Sequence, residues 1–248
     1  MGRTIYMEVE SDKYYTNLLG DGAINNNSIK IVLGECGNIY VKKYIKQDEY
    51  NILGFLEENI HKNIISVIDL YETDNKYSLI MLLYKRDLFY YLSKNELPKP
   101  EIECLYDLLE GLEFLHSHNI AHRDIKSENI FIKYEENTLC YGDFGLSLKC
   151  DENNTSSDRC GTLLYSPPEY TTDVAWDVFP ADIWSLGVTF YTIIFKKFPG
   201  RTKDELNIKL PQMDNNNLKE VLLNMLIKYP VFRKTPRELM SMKYFINL

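Results

Sequence analysis

The hydrophobic periodicity of this 248-residue chain changes once, near Asp87. Before Asp87, apolar and β-branched side chains occur in short runs separated by glycine-containing or Thr-Asp-Asn turns, which is typical of antiparallel strands. The predicted strands are Ile29–Leu33, Ile39–Ile45, Ile64–Tyr71 and Tyr77–Leu83, and one short helix is predicted at Asp48–Glu58. After Asp87, leucines recur at steps of three and four residues, the spacing of amphipathic helices. The sequence therefore predicts an α+β fold, with a small antiparallel sheet half followed by a larger, mainly helical half.

Net charge and cysteine content argue against several classes of protein. The formal net charge is -8, whereas a nucleic-acid-binding protein needs a basic surface to release counterions from the phosphates. The five cysteines form no C-x-x-C pair, which argues against both a disulfide framework and a zinc site. No stretch approaches the ~18 uninterrupted apolar residues of a membrane span, and the N-terminal residues lack the apolar run of a signal peptide. We expect an intracellular protein, in the cytoplasm or the nucleus, that is monomeric and has no nucleic-acid or membrane partner.

Five motifs follow one another in the helical half. They are His122-Arg123-Asp124-Ile125-Lys126-Ser127-Glu128-Asn129, Asp143-Phe144-Gly145, Gly161-Thr162, Pro167-Pro168-Glu169 and Asp182-Ile183-Trp184-Ser185-Leu186-Gly187, with Arg233 before the last helix. A lone aspartate in a loop is usually a turn or capping residue, but five ordered motifs at these spacings are far harder to obtain by chance. Together they resemble the motifs of eukaryotic serine/threonine protein kinases, and the resemblance covers nearly the whole chain.

The resemblance implies a bilobal protein kinase fold that forms one domain over residues 1–248. The small lobe would span about 12–84, the hinge about 82–87 and the helical lobe about 88–248. It also implies an enzyme that transfers the γ-phosphate of ATP, with the help of Mg²⁺, to serine or threonine hydroxyls of protein substrates.

The catalytic and metal-binding roles follow from the same resemblance. Phosphoryl transfer needs an acceptor oxygen held in line and neutralisation of the negative charge on the transferring group. Asp124 would orient the acceptor hydroxyl and take its proton, and Lys126 would place positive charge near the γ-phosphate. Asn129 and Asp143 would offer oxygen ligands to Mg²⁺. Lys126, and Thr162 placed to bond Asp124 and Lys126, are typical of the serine/threonine class.

The nucleotide loop matches the family less closely. Gly20 and Gly22 are expected to approach the phosphates, but Asn25 stands where the third glycine of the family loop belongs. At the other side of the nucleotide, Met81 and Leu83 lie in the hinge-like segment and are expected to contact the adenine.

Either Lys42 or Lys43 could bind phosphate. Strand alternation favours Lys43, because it puts Val41 under the adenine, whereas counting from the glycine loop favours Lys42. The partner of this lysine would be Glu49, and only five residues separate it from Lys43. The first turns of the family's regulatory helix are therefore expected to be missing. Short links of this kind look similar to those of alphaherpesvirus serine/threonine kinases, so a compact viral kinase that acts in a host cell is expected.

The segment from Asp143 to Glu169 is the expected activation segment. Its regulatory hydroxyls would be Thr155, Ser156 and Ser157, with Arg123 as the counter-charge for an added phosphate. The position often held by the activating phosphothreonine falls on Asp158, whose carboxylate could pair with Arg123 without modification. We therefore expect an enzyme that is active as synthesised.

Asp87 and Glu128 match acidic positions that hold a basic residue upstream of the acceptor in basophilic kinases, so basic protein substrates are expected. Glu169 and Arg233 are expected to form a buried structural ion pair. Two other functions are weighed. A pseudokinase scaffold would explain Asn25 and the shortened helix, and a small-molecule phosphotransferase would share the catalytic loop but would not need the later motifs.

Overall fold

The computed structural model describes residues 6–8, 29–35, 37–151, 154–171, 174–199, 210–246 and 248. The strands among them are β1 (Met7–Glu8), β2 (Ile29–Leu33), β3 (Ile39–Ile45), β4 (Val67–Thr73), β5 (Lys76–Leu82), β6 (Ile120–Ala121), β7 (Ile130–Ile132), β8 (Leu139–Tyr141), β9 (Leu148–Lys149), β10 (Thr155–Ser156) and β11 (Trp176–Asp177). The α-helices are α1 (Gln47–Glu58), α2 (Leu88–Ser93), α3 (Glu101–Ser117), α4 (Val178–Phe195), α5 (Asn216–Met225) and α6 (Pro236–Met240). The α+β architecture predicted from the change in periodicity is confirmed.

A five-stranded antiparallel sheet with the order β1-β2-β3-β5-β4 forms the N-terminal part. Its strands are rich in β-branched and aromatic side chains, which fit a pleated, half-buried surface. In the register of β3 and β5, Val41 is opposite Met81 and Lys43 is opposite Leu79. Residues that are directly opposite each other lie on the same face of a sheet, so these four side chains share one face and Lys42 belongs to the other.

β4 begins later than the predicted run Ile64–Tyr71. The amide of Ile65 donates to the carbonyl of Tyr141 at 2.9 Å, and Ile64 forms a parallel bridge with the same residue. Both isoleucines are buried, so the apolar pattern correctly marked burial, but they connect to β8 instead of extending the sheet. The strand of the large sheet therefore starts at Val67.

A single residue, Lys46, separates β3 from α1. Its backbone is extended, with φ -86° and ψ 164°, so the helix starts directly at the end of the strand. The apolar face of α1 consists of Ile52, Leu53 and Leu56, all buried, and Glu49 is buried in its first turn. The short link thus leaves no room for helical turns before Gln47.

Helices α3 and α4 form the centre of the C-terminal part. The leucines of α3 that recur at helical spacing are all buried, namely Leu105, Leu108, Leu109, Leu112 and Leu115. Among the described residues, only α4 is long and apolar enough to cross a membrane, but 72% of it is buried inside the protein, as in the core helix of a globular domain. The four described cysteines, Cys104, Cys140, Cys150 and Cys160, are free thiols.

Candidate active site

The loop between β6 and β7 carries a network of hydrogen bonds around the carboxylate of Asp124. Lys126 Nζ donates to Oδ2 at 2.7 Å, and Asn129 Nδ2 donates to the same oxygen at 2.9 Å. Oδ1 accepts from both the backbone amide and the hydroxyl of Thr162, each at 3.0 Å. The hydroxyl of Thr162 also accepts from Lys126 Nζ at 2.8 Å. Three residues therefore orient one carboxylate through charge-assisted hydrogen bonds, and Thr162 contributes from a segment 38 residues further along the chain.

The backbone of this loop is anchored to α4 by Asp182. The amides of His122 and Arg123 donate to the two carboxylate oxygens of Asp182, each at 2.8 Å. Asp182 is buried, and His116 Nε2 lies 3.1 Å from its Oδ2. A buried acid in an apolar helix needs hydrogen-bond partners. The position of Asp182 among apolar residues of α4 is therefore the sequence signal that could have predicted its anchoring role. We name Asp182 as a functional residue that sequence reasoning placed only within a motif.

His122 is a buried structural residue of the same loop. Its Nε2 lies 3.1 Å from the carbonyl oxygen of Gly142, and its ring packs against Tyr141 and Phe144. His122 is 0% exposed, so its imidazole is enclosed in the core.

Lys43 and Lys42 point to opposite faces of the sheet. Lys43 Nζ lies 2.9 Å from Glu49 Oε1 and 2.7 Å from Asp143 Oδ1. Lys42 Nζ lies 3.5 Å from Glu8 and 4.9 Å from the centre of the Tyr44 ring. The geometry therefore favours Lys43 as the lysine of the cleft, as strand alternation predicted, and argues against the count from the glycine loop.

The charges around Lys43 shift the pKa values of all three groups. Burial lowers the pKa of Lys43, but Asp143 and Glu49 together outweigh burial, so its pKa lies above the ordinary value. Burial raises the pKa of Asp143, yet the nearby ammonium of Lys43 brings the net pKa below its ordinary value. For Glu49 burial dominates over Lys43, and its pKa is raised. Asp143 is thus the partner that holds its negative charge more strongly.

Asn129 and Asp143 form a donor set that fits Mg²⁺. The amide nitrogen of Asn129 is bound to the carbonyl and the carboxylate of Asp124, both at 2.9 Å, which leaves its oxygen for a cation. Asp143 has a left-handed backbone with φ 58°, and its side chain is about half exposed. Within the described part of the chain no three His, Cys, Asp or Glu residues cluster to hold a metal. Two oxygen ligands suit an ion whose coordination is completed by phosphates and water.

The face of the sheet that carries Lys43 also carries the expected adenine contacts. Val41 and Met81 are opposite each other on that face, and Leu83 follows directly after β5. Gly20 and Gly22 lie outside the described residues.

The middle of the activation segment lies beside Arg123. Arg123 Nη2 lies 3.7 Å from Asp158 Oδ2 and donates to its carbonyl at 3.4 Å, while Nε donates to Cys160 Sγ at 3.1 Å. Thr155 and Ser156 form β10, which pairs with β11. The side chains of Thr155 and Ser157 are exposed, and that of Ser156 is half-buried. The expected partner of Arg123 is thus in contact with it, and the three hydroxyls lie directly before Asp158 in the chain.

Asp87 and Glu128 lie near each other beside the catalytic loop. Asp87 caps α2 by accepting a hydrogen bond from the amide of Tyr90 at 2.8 Å. Burial raises the pKa of Asp87, and the negative charge of Glu128 raises it further. Glu128 accepts from Ser127 Oγ at 2.9 Å. The two acids therefore share one electrostatic environment.

Glu169 and Arg233 form a bidentate ion pair, with nitrogen–oxygen distances of 2.6 and 2.7 Å. The side chain of Arg233 is 0% exposed and also donates to the carbonyls of Ile227 and Pro180. This pair ties the end of the activation segment to α4 and to the loop before α6.

Comparisons with known proteins agree with this geometry. The family model of the protein kinase domain matches residues 18–245. The chain is 30% identical over 201 residues to the mitosis inducer protein kinase cdr1 of Schizosaccharomyces pombe, covering 75% of this chain and 34% of that protein. It is 27% identical over 240 residues to a probable myosin light chain kinase of Dictyostelium discoideum, covering 90% of this chain and 68% of that protein.

A third relative is the probable serine/threonine-protein kinase KCC4 of Saccharomyces cerevisiae, which is 28% identical over 166 residues, covering 66% of this chain and 15% of that protein. The matched region is thus a minor part of two of these three relatives. The match to the kinase family itself extends from the glycine loop to the last helix, and this chain therefore belongs to the protein kinase family.

Proposed function

We propose that this chain is a catalytically active serine/threonine protein kinase that uses ATP and Mg²⁺. The observation that carries the proposal is the network in which Lys126, Asn129 and Thr162 orient the carboxylate of Asp124. The second support is the contact of Lys43 with both Glu49 and Asp143, which links the sheet and α1 to the Asp143-Phe144-Gly145 motif. A pseudokinase scaffold would not need either arrangement.

The chemistry follows from these positions. The acceptor hydroxyl is oriented by Asp124, its oxygen bonds to the γ-phosphorus, and its proton passes to the carboxylate of Asp124. The bond between the γ-phosphorus and the bridging oxygen breaks, and ADP leaves. Lys126 places positive charge beside the γ-phosphate, and Lys43 faces the remaining phosphates. Asn129 and Asp143 would hold Mg²⁺, which would neutralise negative charge on the phosphate oxygens.

We propose serine and threonine as acceptors, in substrates with basic residues upstream of the acceptor. The first part is supported by Lys126 and by the place of Thr162 between Asp124 and Lys126. The second part is supported by the proximity of Asp87 and Glu128, two acids whose mutual repulsion a bound cation would relieve.

We also propose that the kinase is active without phosphorylation of the activation segment. Arg123 is already in contact with Asp158, and Thr155, Ser156 and Ser157 are not needed to neutralise it. The single-residue link at Lys46, which keeps α1 beside β3, supports the same proposal and the kinship with compact viral kinases.

The test is transfer of radiolabelled phosphate from ATP and Mg²⁺ to histone, followed by phosphoamino-acid analysis. Wild-type protein should label serine or threonine, and Asp124→Ala and Asp143→Ala should each lose transfer. Asp214→Ala, at an exposed aspartate outside the cleft, is the control and should keep it. If the wild type transfers nothing while ATP still raises its melting temperature, the scaffold function replaces the kinase.

Two further measurements separate the finer parts. A peptide library that reveals acidic or proline-directed preference would remove the basic-substrate proposal but leave the kinase in place. Complete loss of activity after phosphatase treatment would remove the proposal of activity without phosphorylation.

A further inference from the structure

We infer that Ser127 and Tyr165 are positioning residues that hold the Glu128 carboxylate ready for a cationic side chain of the substrate. The inference rests on the proposed function, because it names how the acidic site beside the acceptor is built. Neither residue touches the reacting atoms, and both act through Glu128.

The side-chain oxygens of Ser127, Glu128 and Tyr165 form a ring of close contacts. Ser127 Oγ donates to Glu128 Oε2 at 2.9 Å, and the hydroxyl of Tyr165 donates to the same oxygen at 3.3 Å. The two hydroxyls lie 3.1 Å apart, and the backbone amide of Ser127 points to the Tyr165 hydroxyl at 3.5 Å. Both donors therefore converge on one carboxylate oxygen, and within the part of the chain that the structure describes no hydrogen bond occupies the other oxygen of Glu128.

Burial makes this ring rigid. Ser127 is 1% exposed and Tyr165 is 3% exposed, whereas Glu128 is only half-buried. A glutamate side chain at a surface is otherwise free to change rotamer, and fixing it costs conformational entropy. When buried donors fix the carboxylate before the substrate arrives, the substrate binds without that cost. The ring is thus suited to preorganisation of a binding group.

The ring also joins the two segments that form the catalytic centre. Ser127 opens the short 3₁₀ turn Ser127–Asn129, whose last residue contacts Asp124. Tyr165 ends the 3₁₀ turn Leu163–Tyr165, which follows directly after Thr162. Glu128 is therefore placed by the same two segments that place Asp124, so a cation held by Glu128 has a defined position relative to the acceptor.

The charges around the ring indicate the class of ligand. Burial raises the pKa of Tyr165, and Glu128 raises it further, so the phenol remains a hydrogen-bond donor at neutral pH. Asp87 faces the charge of Glu128, and Arg86 is the cation that acts on it in the opposite sense. Two acids with one nearby cation favour an arginine or lysine side chain of a peptide.

The experiment compares two labelled peptides that differ only by arginine or alanine upstream of the acceptor serine. KM and kcat are measured for wild type, Ser127→Ala, Tyr165→Phe and the rescue variant Ser127→Thr, which keeps the hydroxyl. Ser185→Ala is the matched control, because its hydroxyl donates to the carbonyl of Tyr165 and does not contact Glu128.

We expect Ser127→Ala and Tyr165→Phe to raise KM for the arginine peptide by about tenfold, the size of one lost bond to a charged group. We expect kcat to stay within about twofold and KM for the alanine peptide to stay unchanged. Ser127→Thr and Ser185→Ala should behave like wild type. An equal rise of KM for both peptides, or a fall in kcat, would show a general structural role and overturn the inference.

Fluorescence anisotropy with the same two peptides separates this inference from the proposed function. If the wild type transfers no phosphate but binds the arginine peptide more tightly, and Ser127→Ala removes that difference, the positioning role stands and the kinase proposal fails. If the wild type binds both peptides equally, the positioning role fails whatever the activity is.

Discussion

Two arginine–carboxylate pairs hold the activation segment, and they differ in the length of their contacts and in the exposure of the carboxylate. Arg233 and Glu169 are joined by two short bonds, and the arginine is completely buried. Arg123 is also largely buried, but it lies 3.7 Å from the carboxylate of Asp158, whose side chain is 80% exposed. The Arg233–Glu169 pair thus anchors the end of the activation segment, whereas the Arg123–Asp158 pair makes only a loose contact with its middle.

The difference shows how burial assigns a role to a charge. Removing one partner of a buried pair leaves an uncompensated charge in a poor solvent, whereas an exposed charge is taken over by water. The end of the segment is therefore part of the frame of the fold. Its middle can be altered at little cost in stability, which is where regulation is expected.

The largest effect is expected when the buried pair is broken. Arg233→Ala should lower the free energy of unfolding by about 3–5 kcal/mol, because the buried carboxylate of Glu169 loses both of its hydrogen bonds from Arg233. Urea denaturation monitored by circular dichroism measures it. Arg237→Ala is the control, since Arg237 pairs with Glu113 but its side chain is 80% exposed, and it should cost less than about 1 kcal/mol. Equal losses in the two variants would contradict the comparison.

The next effect tests the junction between the two regions. Gly161 has φ 88°, and a Cβ there would lie 2.5 Å from the carbonyl oxygen of Arg123. Gly161→Ala should cost about 1–3 kcal/mol, and it should reduce kcat by displacing Thr162 from Asp124. Gly37→Ala is matched, because Gly37 has φ 77° with no atom within 4 Å of the new Cβ. The stability lost by Gly161→Ala beyond that lost by Gly37→Ala measures the clash with the Arg123 carbonyl. Equal losses would mean that the activation segment moves to relieve the clash.

An intermediate effect is expected at Lys43, where one cation serves a buried and a half-exposed carboxylate. In Lys43→Met, Glu49 stays buried without its cation, so its pKa in the folded state rises further. The penalty is absent below the ordinary glutamate pKa of about 4.3 and grows as the pH rises to the raised pKa. The lowered pKa of Asp143 has the same effect on the difference between variant and wild type. In the wild type its ion pair with Lys43 stabilises the folded state, and that stabilisation is lost as the pH falls.

Melting curves measured between about pH 4 and 8 check this sign. At the upper end of the range we expect the free energy of unfolding of the variant to be lower than that of the wild type by about 1–3 kcal/mol. The double variant Lys43→Met/Glu49→Gln should recover most of the loss at high pH. A gap that widens toward acid pH would contradict the assignment of charges.

The smallest effect is expected at the exposed pair. Asp158→Ala should change stability by less than about 1 kcal/mol and reduce kcat by less than about fivefold, and both changes should shrink in high salt. Denaturation and kinase assays at two salt concentrations measure this. A large loss of stability or kcat that does not depend on salt would show that the middle of the activation segment is also needed to stabilise the fold.

Sequence reasoning predicted what depends on local pattern. Strand alternation distinguished Lys43 from Lys42 because the pleat separates neighbouring side chains, whereas counting from the glycine loop carried no such physical constraint. The apolar run at Ile64 correctly indicated burial, but it could not tell which of two sheets the chain would join, because that depends on the carbonyl of Tyr141.

What sequence reasoning missed depends on contacts between distant segments. The local sequence does not show that Asp182 accepts hydrogen bonds from the amides of His122 and Arg123. It shows only an acid in an apolar helix, which would be costly to bury without such bonds. The ring of Ser127, Glu128 and Tyr165 was equally hidden, since Tyr165 is 38 residues away from Ser127.

The single-residue link at Lys46 limits how the active site can move. Because only one residue links β3 to α1, we expect any widening of the cleft to move the strand and the helix together. The separation of 2.9 Å between Lys43 and Glu49 is then preserved through the motion, and the 2.7 Å contact from Lys43 to Asp143 is the one that lengthens. In this chain we expect the distance between Lys43 and Asp143, and not a rotation of α1 away from β3, to distinguish a closed cleft from an open one.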